Sequence, residues 1–323
     1  MMTRLLKKGM LLFLLVLVSA YALSYMVDTG LQKSRNSYFA SWNDLYNSKI
    51  NADLLIMGSS RAEFHISPKI LDSVLSINTY NLGLSAWHFD MQYARFRMYL
   101  QHNRKPKYII QNVDVYGFSK RQDVVDHEQF LPYTQDTILQ KTIVGHKGEF
   151  DIFQRNLPLL KYKNDPNLAF EGFFNFVGNT AMYDTTTKFK GYRGNDYAWN
   201  QDFERFKKRF PKGARYKFDT EIKQQFEEFL DFCKKENIKV FLVYAPEYYE
   251  VQKYYKNKED LMKLCRESAL KYDSQFLDYS KDSLCYDRQH FYNSQHLNKR
   301  GAEIFSLELS QKIKKSINDV RFF

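Results

Sequence analysis

Hydrophobic and polar positions follow two rhythms along the chain. Leu54-Leu55-Ile56-Met57 is an unbroken apolar run closed by Gly58, too short for a helix and suited to a buried strand. Comparable runs occur at 77–82, 108–115, 239–244 and 276–279. Between them apolar residues recur at helical spacing: Ile70, Leu71 and Leu75 after Ser67-Pro68, then Phe89, Tyr93, Phe96 and Leu100. Ile222, Phe226, Phe229, Leu230 and Cys233 follow Asp219, an N-cap residue type, and Leu261, Leu264 and Cys265 mark another helix. A last helix is expected from Lys299 to beyond Ile313. Strands that alternate with helices imply parallel pairing and right-handed crossovers. The expected fold is therefore α/β, a three-layer α/β/α sandwich around a five-stranded, mainly parallel sheet.

Two stretches break the rhythm. Gly9 to Val27 is uncharged and apolar, and Arg4, Lys7 and Lys8 precede it. Such a run just suffices to cross a bilayer, and the basic flank predicts a cytoplasmic start with the remainder translocated. Ala20-Tyr21-Ala22 also has the form of a signal-peptidase site, so a retained anchor and a cleaved signal are both open. The second break is 117–216, rich in Tyr, Phe, Asn and Asp and without clean periodicity. The expected plan is an anchor or signal at 1–27, a stalk at 28–51, an α/β domain at 52–317 and a tail at 318–323. Segment 117–216 is read as an insertion that packs over the strand ends rather than as an independent domain.

The formal charge of +11 would suit nucleic acid, anionic lipid or an anionic polymer, but an export signal removes nucleic acid from that set. Seven cations fall between Arg205 and Lys217, either a solvated face or a contact for anionic lipid or glycan. Cys233, Cys265 and Cys285 are an odd number, and two lie on apolar helix faces, so buried free thiols are expected. Cys, His and carboxylates show no metal-ligand spacing, and no cofactor is implied.

Candidate chemistry gathers at strand ends, where open α/β sheets bind ligands. Gly58-Ser59-Ser60 follows the first strand and can be either turn chemistry or a nucleophile delivered to the sheet rim. A second strand ends in Asn81-Leu82-Gly83, and His296-Leu297-Asn298-Lys299-Arg300-Gly301 precedes the last helix. These three stretches together resemble the SGNH (GDSL-like) hydrolase superfamily. Within it, the chain is similar to the membrane-anchored branch that serves O-acylation of cell-envelope polymers. The resemblance implies Ser60 as nucleophile, His296 as general base, and an oxyanion hole from the amides of Ser60 and Gly83. The third donor of the family is an Asn after the third strand; here Asn112 or Asp114 would stand in its place. The family's acid lies three residues before the histidine, where this chain has Asn293. Asp287 begins a second Asp-x-x-His and is the alternative acid.

The remaining histidines (His65, His88, His102, His127 and His146), with Trp87, read as packing or surface residues. Five tyrosines beside Glu247 and Glu250, from Tyr244 to Tyr255, fit either loop packing or a sugar-facing rim. By resemblance, the chain is an esterase or O-acyltransferase acting on acyl groups of an envelope glycan through a serine acyl-enzyme. The alternative is a non-catalytic relative that binds glycan or a membrane-bound O-acyltransferase. The implied place is the bacterial inner membrane, single-pass with the main domain on the outer face, or secretion after signal cleavage.

Overall fold

In the computed structural model, which describes residues 2–178 and 188–320, β1 (Leu54–Met57) lies fully buried near the middle of a sheet. β2 (Thr79–Asn81) and β3 (Tyr108–Asn112) flank it in parallel, and β4 (Lys239–Tyr244) and β5 (Gln275–Asp278) continue the sheet. The order β2-β1-β3-β4-β5 makes an α/β fold with a five-stranded, all-parallel sheet of flavodoxin-like order. Two of its strands are shorter than the apolar runs suggested. Leu82 leaves β2 toward Gly83, and Val113 to Val115 continue past β3 into a turn.

Handedness decides which helix covers which face. The chain steps one way from β1 to β2 and the other way from β2 through β5. Right-handed crossovers therefore put the helices of the first step on one face and the later ones on the other. Helices Ser60–His65 and Pro68–Leu75 join helix Lys299–Val320 over Leu54, Ile56, Ile110, Phe241 and Val243. Helices Phe89–His102 and Thr220–Lys235 meet through Phe89, Phe226 and Phe229, with ring centroids 5.0 and 5.7 Å from Phe89. Asp219 caps the latter helix as its sequence proposes, and all three cysteines are buried and free.

The described chain forms two compact units. The sheet belongs to Ser48–Arg121 with Thr187–Phe323, and the other unit is Met1–Asn47 with Gln122–Thr186. The segment expected as a single insertion is thus divided between them, and its residues 179–187 lie outside the described residues. The expected stalk, 28–51, contains helical structure in both halves. Helix Met2–Leu31 runs through residue 28, and helix Ala40–Tyr46 buries Trp42 and Leu45. Trp42 Nε1 donates to Gln129 Oε1 at 2.8 Å, and Tyr46 stacks on Tyr133. The expected tail is helical to Val320; residues 321–323 lie outside the described residues. Among the described residues, Met2–Leu31 is the one helix long and apolar enough to cross a membrane.

Candidate active site

The turn after β1 has a backbone that few residues tolerate. Gly58 has φ +142°, and a Cβ there would stand 2.8 Å from both Ala62 and Asn112. Ser59 then caps the short helix Ser60–His65, its oxygen accepting from the Arg61 amide, so Ser60 takes the first helical position. This is the place where connections from neighbouring strands diverge, the switch point at which open sheets form their crevice.

Ser60 Oγ lies 2.7 Å from Nε2 of His296, 236 residues away in sequence. His296 opens β7 (His296–Leu297), which pairs with β6 (Phe291–Asn293) in an antiparallel hairpin. Asn293 Oδ1 accepts from the backbone amides of Gln295 and His296, at 3.0 and 2.9 Å. Those two donors identify the atom as the amide oxygen rather than the nitrogen. The same oxygen is 3.0 Å from His296 Nδ1, so Nδ1 carries the proton and Nε2 is left as acceptor toward Ser60. Tyr292 stacks on the imidazole at 5.3 Å and holds its plane. Burial pushes the pKa of His296 down to about 3, and the Arg61 charge adds to the shift while Asp202 opposes it.

Asp202 is the member the sequence did not reveal. Asn293 Nδ2 donates to Asp202 Oδ2 at 3.1 Å, which completes a line Ser60, His296, Asn293, Asp202. Burial raises the Asp202 pKa, but hydrogen bonds from Asn200, Arg205 and Asn293 outweigh it and hold the carboxyl below its ordinary value. The residue opens helix Asp202–Arg209, inside the stretch without periodicity and 91 residues from its partner, so no local pattern points to it.

Asp287 does not reach His296. It caps the turn at Gln289 and pairs with His290 Nε2 at 3.3 Å, so its Asp-x-x-His closes on its own histidine. Two expected oxyanion donors are engaged inside the protein. The Gly83 amide donates to Asn81 Oδ1 at 2.8 Å, and Asn112 Nδ2 donates to Asp114 Oδ1 at 3.1 Å. Asp114 itself serves a buried charge cluster. Arg61 pairs with Asp114 at 2.8 Å and with Glu247 at 3.3 Å, and all three are almost fully buried. Ser59 Oγ donates to Asp114 Oδ2 at 2.6 Å, so the Tyr116 hydroxyl, 2.9 Å away, donates to Ser59. The cluster thus ties the serine turn to the ends of β3 and β4. Tyr244 and Tyr255 hydrogen-bond Glu247 within it, so these two tyrosines are packing groups rather than a rim.

His65 is structural: Nε2 accepts from the Leu297 amide at 3.0 Å, and burial holds its pKa well below the usual value. In the basic stretch, Arg205 pairs with Asp202, Lys207 with Glu204 at 2.7 Å and Arg215 with Asp260 at 3.7 Å. No group of His, Cys, Asp and Glu among the described residues could hold a metal ion.

No protein-family model and no curated protein matches the chain. Among solved structures it is similar to a Bacteroides fragilis protein assigned as an acylhydrolase, at 11% identity and TM-score 0.36, covering 81% of this chain and 87% of that one. It is also similar to an acetyl xylan esterase from the rumen bacterium Butyrivibrio proteoclasticus, at 11% identity and TM-score 0.34. That alignment covers 82% of this chain and 64% of the esterase. At these distances neither neighbour bears on activity.

Proposed function

We propose that the chain is a membrane-anchored serine esterase or O-acyltransferase that handles acyl groups of a cell-envelope glycan. The observation that carries this reading is the 2.7 Å contact from Ser60 Oγ to His296 Nε2, with the opposite ring nitrogen held by Asn293. Ser60 Oγ attacks the ester carbonyl carbon while its proton passes to Nε2. The departing alcohol takes that proton, leaving the acyl group on Ser60. Water or a sugar hydroxyl then gives its proton to His296 and attacks the acyl carbon, and His296 returns that proton to Ser60 Oγ as its bond to the acyl group breaks.

Asn293 keeps the imidazole in the reactive tautomer but brings no charge to stabilise the imidazolium. Amide for carboxylate at this place costs a serine protease about four orders of magnitude. Asp202 recovers part of that loss by polarising the amide from behind. Asn112 Nδ2 keeps a second N–H beyond its bond to Asp114, whereas the Gly83 amide serves the oxyanion only by releasing Asn81. The glycan and the acyl chemistry follow the resemblance in the three motifs, the outer-face location follows the basic flank at Arg4, Lys7 and Lys8, and the apolar helix Met2–Leu31 supports anchoring.

The test is turnover of p-nitrophenyl acetate with mass detection of one acetyl on Ser60. Ser60→Ala and His296→Ala should each abolish it, and the double variant should be no worse, since the pair acts as a unit. The neutral Asn293 and the low basicity of His296 favour a second reading, a non-catalytic protein that binds glycan or a membrane acyltransferase. Absence of turnover together with Ser60 inert to a fluorophosphonate would decide for that second reading.

A further inference from the structure

The unit formed by Met1–Asn47 and Gln122–Thr186 carries an apolar surface that its own fold does not use. Helix Pro166–Phe176 and the residue after it turn Phe170, Phe174 and Val177 outward, at a spacing that makes one stripe. Helix Ile152–Asn156 and its C-cap turn out Ile152, Phe153 and Leu157. Ile152, Phe153 and Phe170 are each more than 60% exposed. Glu171 is the one charge between Pro166 and Gly178, and it is buried against Ser34 and Asn36. A helix facing water puts polar residues on its outer side; this one does the reverse.

Hydrogen bonds to helix Met2–Leu31 fix the level at which this surface sits. The Tyr21 hydroxyl donates to the Asn156 carbonyl at 2.9 Å, and the Leu159 amide donates to Ser24 Oγ at 3.3 Å. Asp28, the first charge after the apolar run, pairs with Lys161 at 2.8 Å and accepts from the Tyr162 hydroxyl. Val27 and Gly30 press against Gly172, where a Cβ would stand 2.4 Å from the Val27 carbonyl oxygen. The uncharged run from Gly9 to Val27 is about 28 Å long as a helix, against about 30 Å of hydrocarbon, so it has no slack to slide. With Asp28 at the boundary, Ser24 lies about 6 Å and Tyr21 about 10 Å inside it. Asn156 and Leu159, bonded to them, lie at the same depth.

We infer that the segment around Ile152–Leu157 is immersed in the acyl-chain layer of the bilayer that the helix crosses, on the side of Asp28, while the Phe170–Val177 stripe, whose helix meets Val27 through Gly172 and Gly30 and Lys33 through Phe176, lies at the edge of that layer. The inference rests on the anchored reading proposed above. Within the segment Gln154 N donates to Asp151 Oδ1 at 2.8 Å, Arg155 N to Asp151 O at 3.1 Å and Leu157 N to Phe153 O at 2.7 Å. These amides meet the demand that lipid makes of a backbone, and the Arg155 guanidinium donates to Gln140 at 2.7 Å.

The experiment places an environment-sensitive fluorophore on Phe153→Cys and, separately, on Leu157→Cys in the full chain. Cys233, Cys265 and Cys285 are buried and stay unlabelled in the folded protein. Each labelled chain, purified and alone in phosphatidylcholine vesicles, is challenged with nitroxide-labelled lipid and with aqueous iodide; Leu15→Cys supplies the in-membrane reference. Quenching by nitroxide lipid and not by iodide, as at Leu15→Cys, is expected at both positions. Quenching by iodide alone overturns the inference, and protection from both quenchers assigns the surface to a second copy and overturns it too. Extraction of the wild-type chain by alkaline carbonate would instead defeat the anchored reading itself, so the two failures are told apart.

Discussion

At the residue scale, the decisive group is Asn293. Its oxygen faces three N–H groups and its nitrogen faces a carboxylate, so an aspartate there would set a second carboxylate 3.1 Å from Asp202 Oδ2. Two carboxylates at that distance cannot both ionise freely. Asn293→Asp alone should therefore gain little, whereas Asn293→Asp with Asp202→Asn moves the charge beside the imidazole and keeps the hydrogen bond behind it. The double variant should turn over p-nitrophenyl acetate at least about tenfold faster at pH 8, a fraction of what the acid is worth in a serine protease. Its acid limb should also move. Because His296 is pushed down to about 3, the wild-type kcat/KM should stay flat between about pH 4 and 8. The swapped carboxylate raises that pKa, so the double variant should lose activity below about pH 6. A single variant that equals or beats the double would show that Asp202 has no part in the line.

At the scale of elements, strands β1 and β4 and helix Phe89–His102 were legible residue for residue, because burial on one face or two leaves a local period. The meeting of Ser60 with His296 was foreseeable because each stands beside a turn with its own local pattern. Asp202 was not, since its relation to Asn293 exists only across space. Asp287 misled for the converse reason: a motif spelled in sequence was satisfied by a nearer histidine. The hairpin β6–β7 also has a neighbour that sequence could not supply, the buried His65 that takes the Leu297 amide. Protonating His65 would set N–H against N–H. Its folded pKa lies below the unfolded value of about 6.5, so the unfolded state binds more protons and stability falls as pH drops through 6.5. Urea midpoints should decline from pH 7.5 to 5. His65→Gln, whose side-chain oxygen can accept the same amide, should make the decline shallower, the remainder coming from His296 and His88, which burial also lowers; an unchanged slope would clear His65 of the effect.

At the scale of the whole molecule, charge flank and apolar length argue for one crossing, with everything beyond about residue 30 on the far side. Protease added to the outer face of intact spheroplasts should degrade both the 122–178 segment and the sheet unit. Full protection of the C-terminal helix Lys299–Val320 would reverse the orientation and return the basic surface to cytoplasmic partners. The two units also explain why the middle of the chain resisted reading. Segment 122–178 does not fold on a pattern of its own: Gln129 answers Trp42, Glu171 answers Ser34, and Lys161 answers Asp28. Each of those partners lies in the first 47 residues.

That interleaving has a consequence for how the protein is made. The unit containing helix Met2–Leu31 cannot close until the partners of its first 47 residues are synthesised, and the entire stretch Ser48–Arg121 emerges in between. Translation proceeds at roughly 5–20 residues per second, so Gly30 waits several seconds for Gly172. During that wait β1, β2 and β3 are already out, while β4, β5 and His296 are still unmade. Ser60 is therefore made long before His296, the residue it contacts. The unit of Met1–Asn47 and Gln122–Thr186 is complete first, and Ser60 meets its histidine partner only after residue 296 has been made.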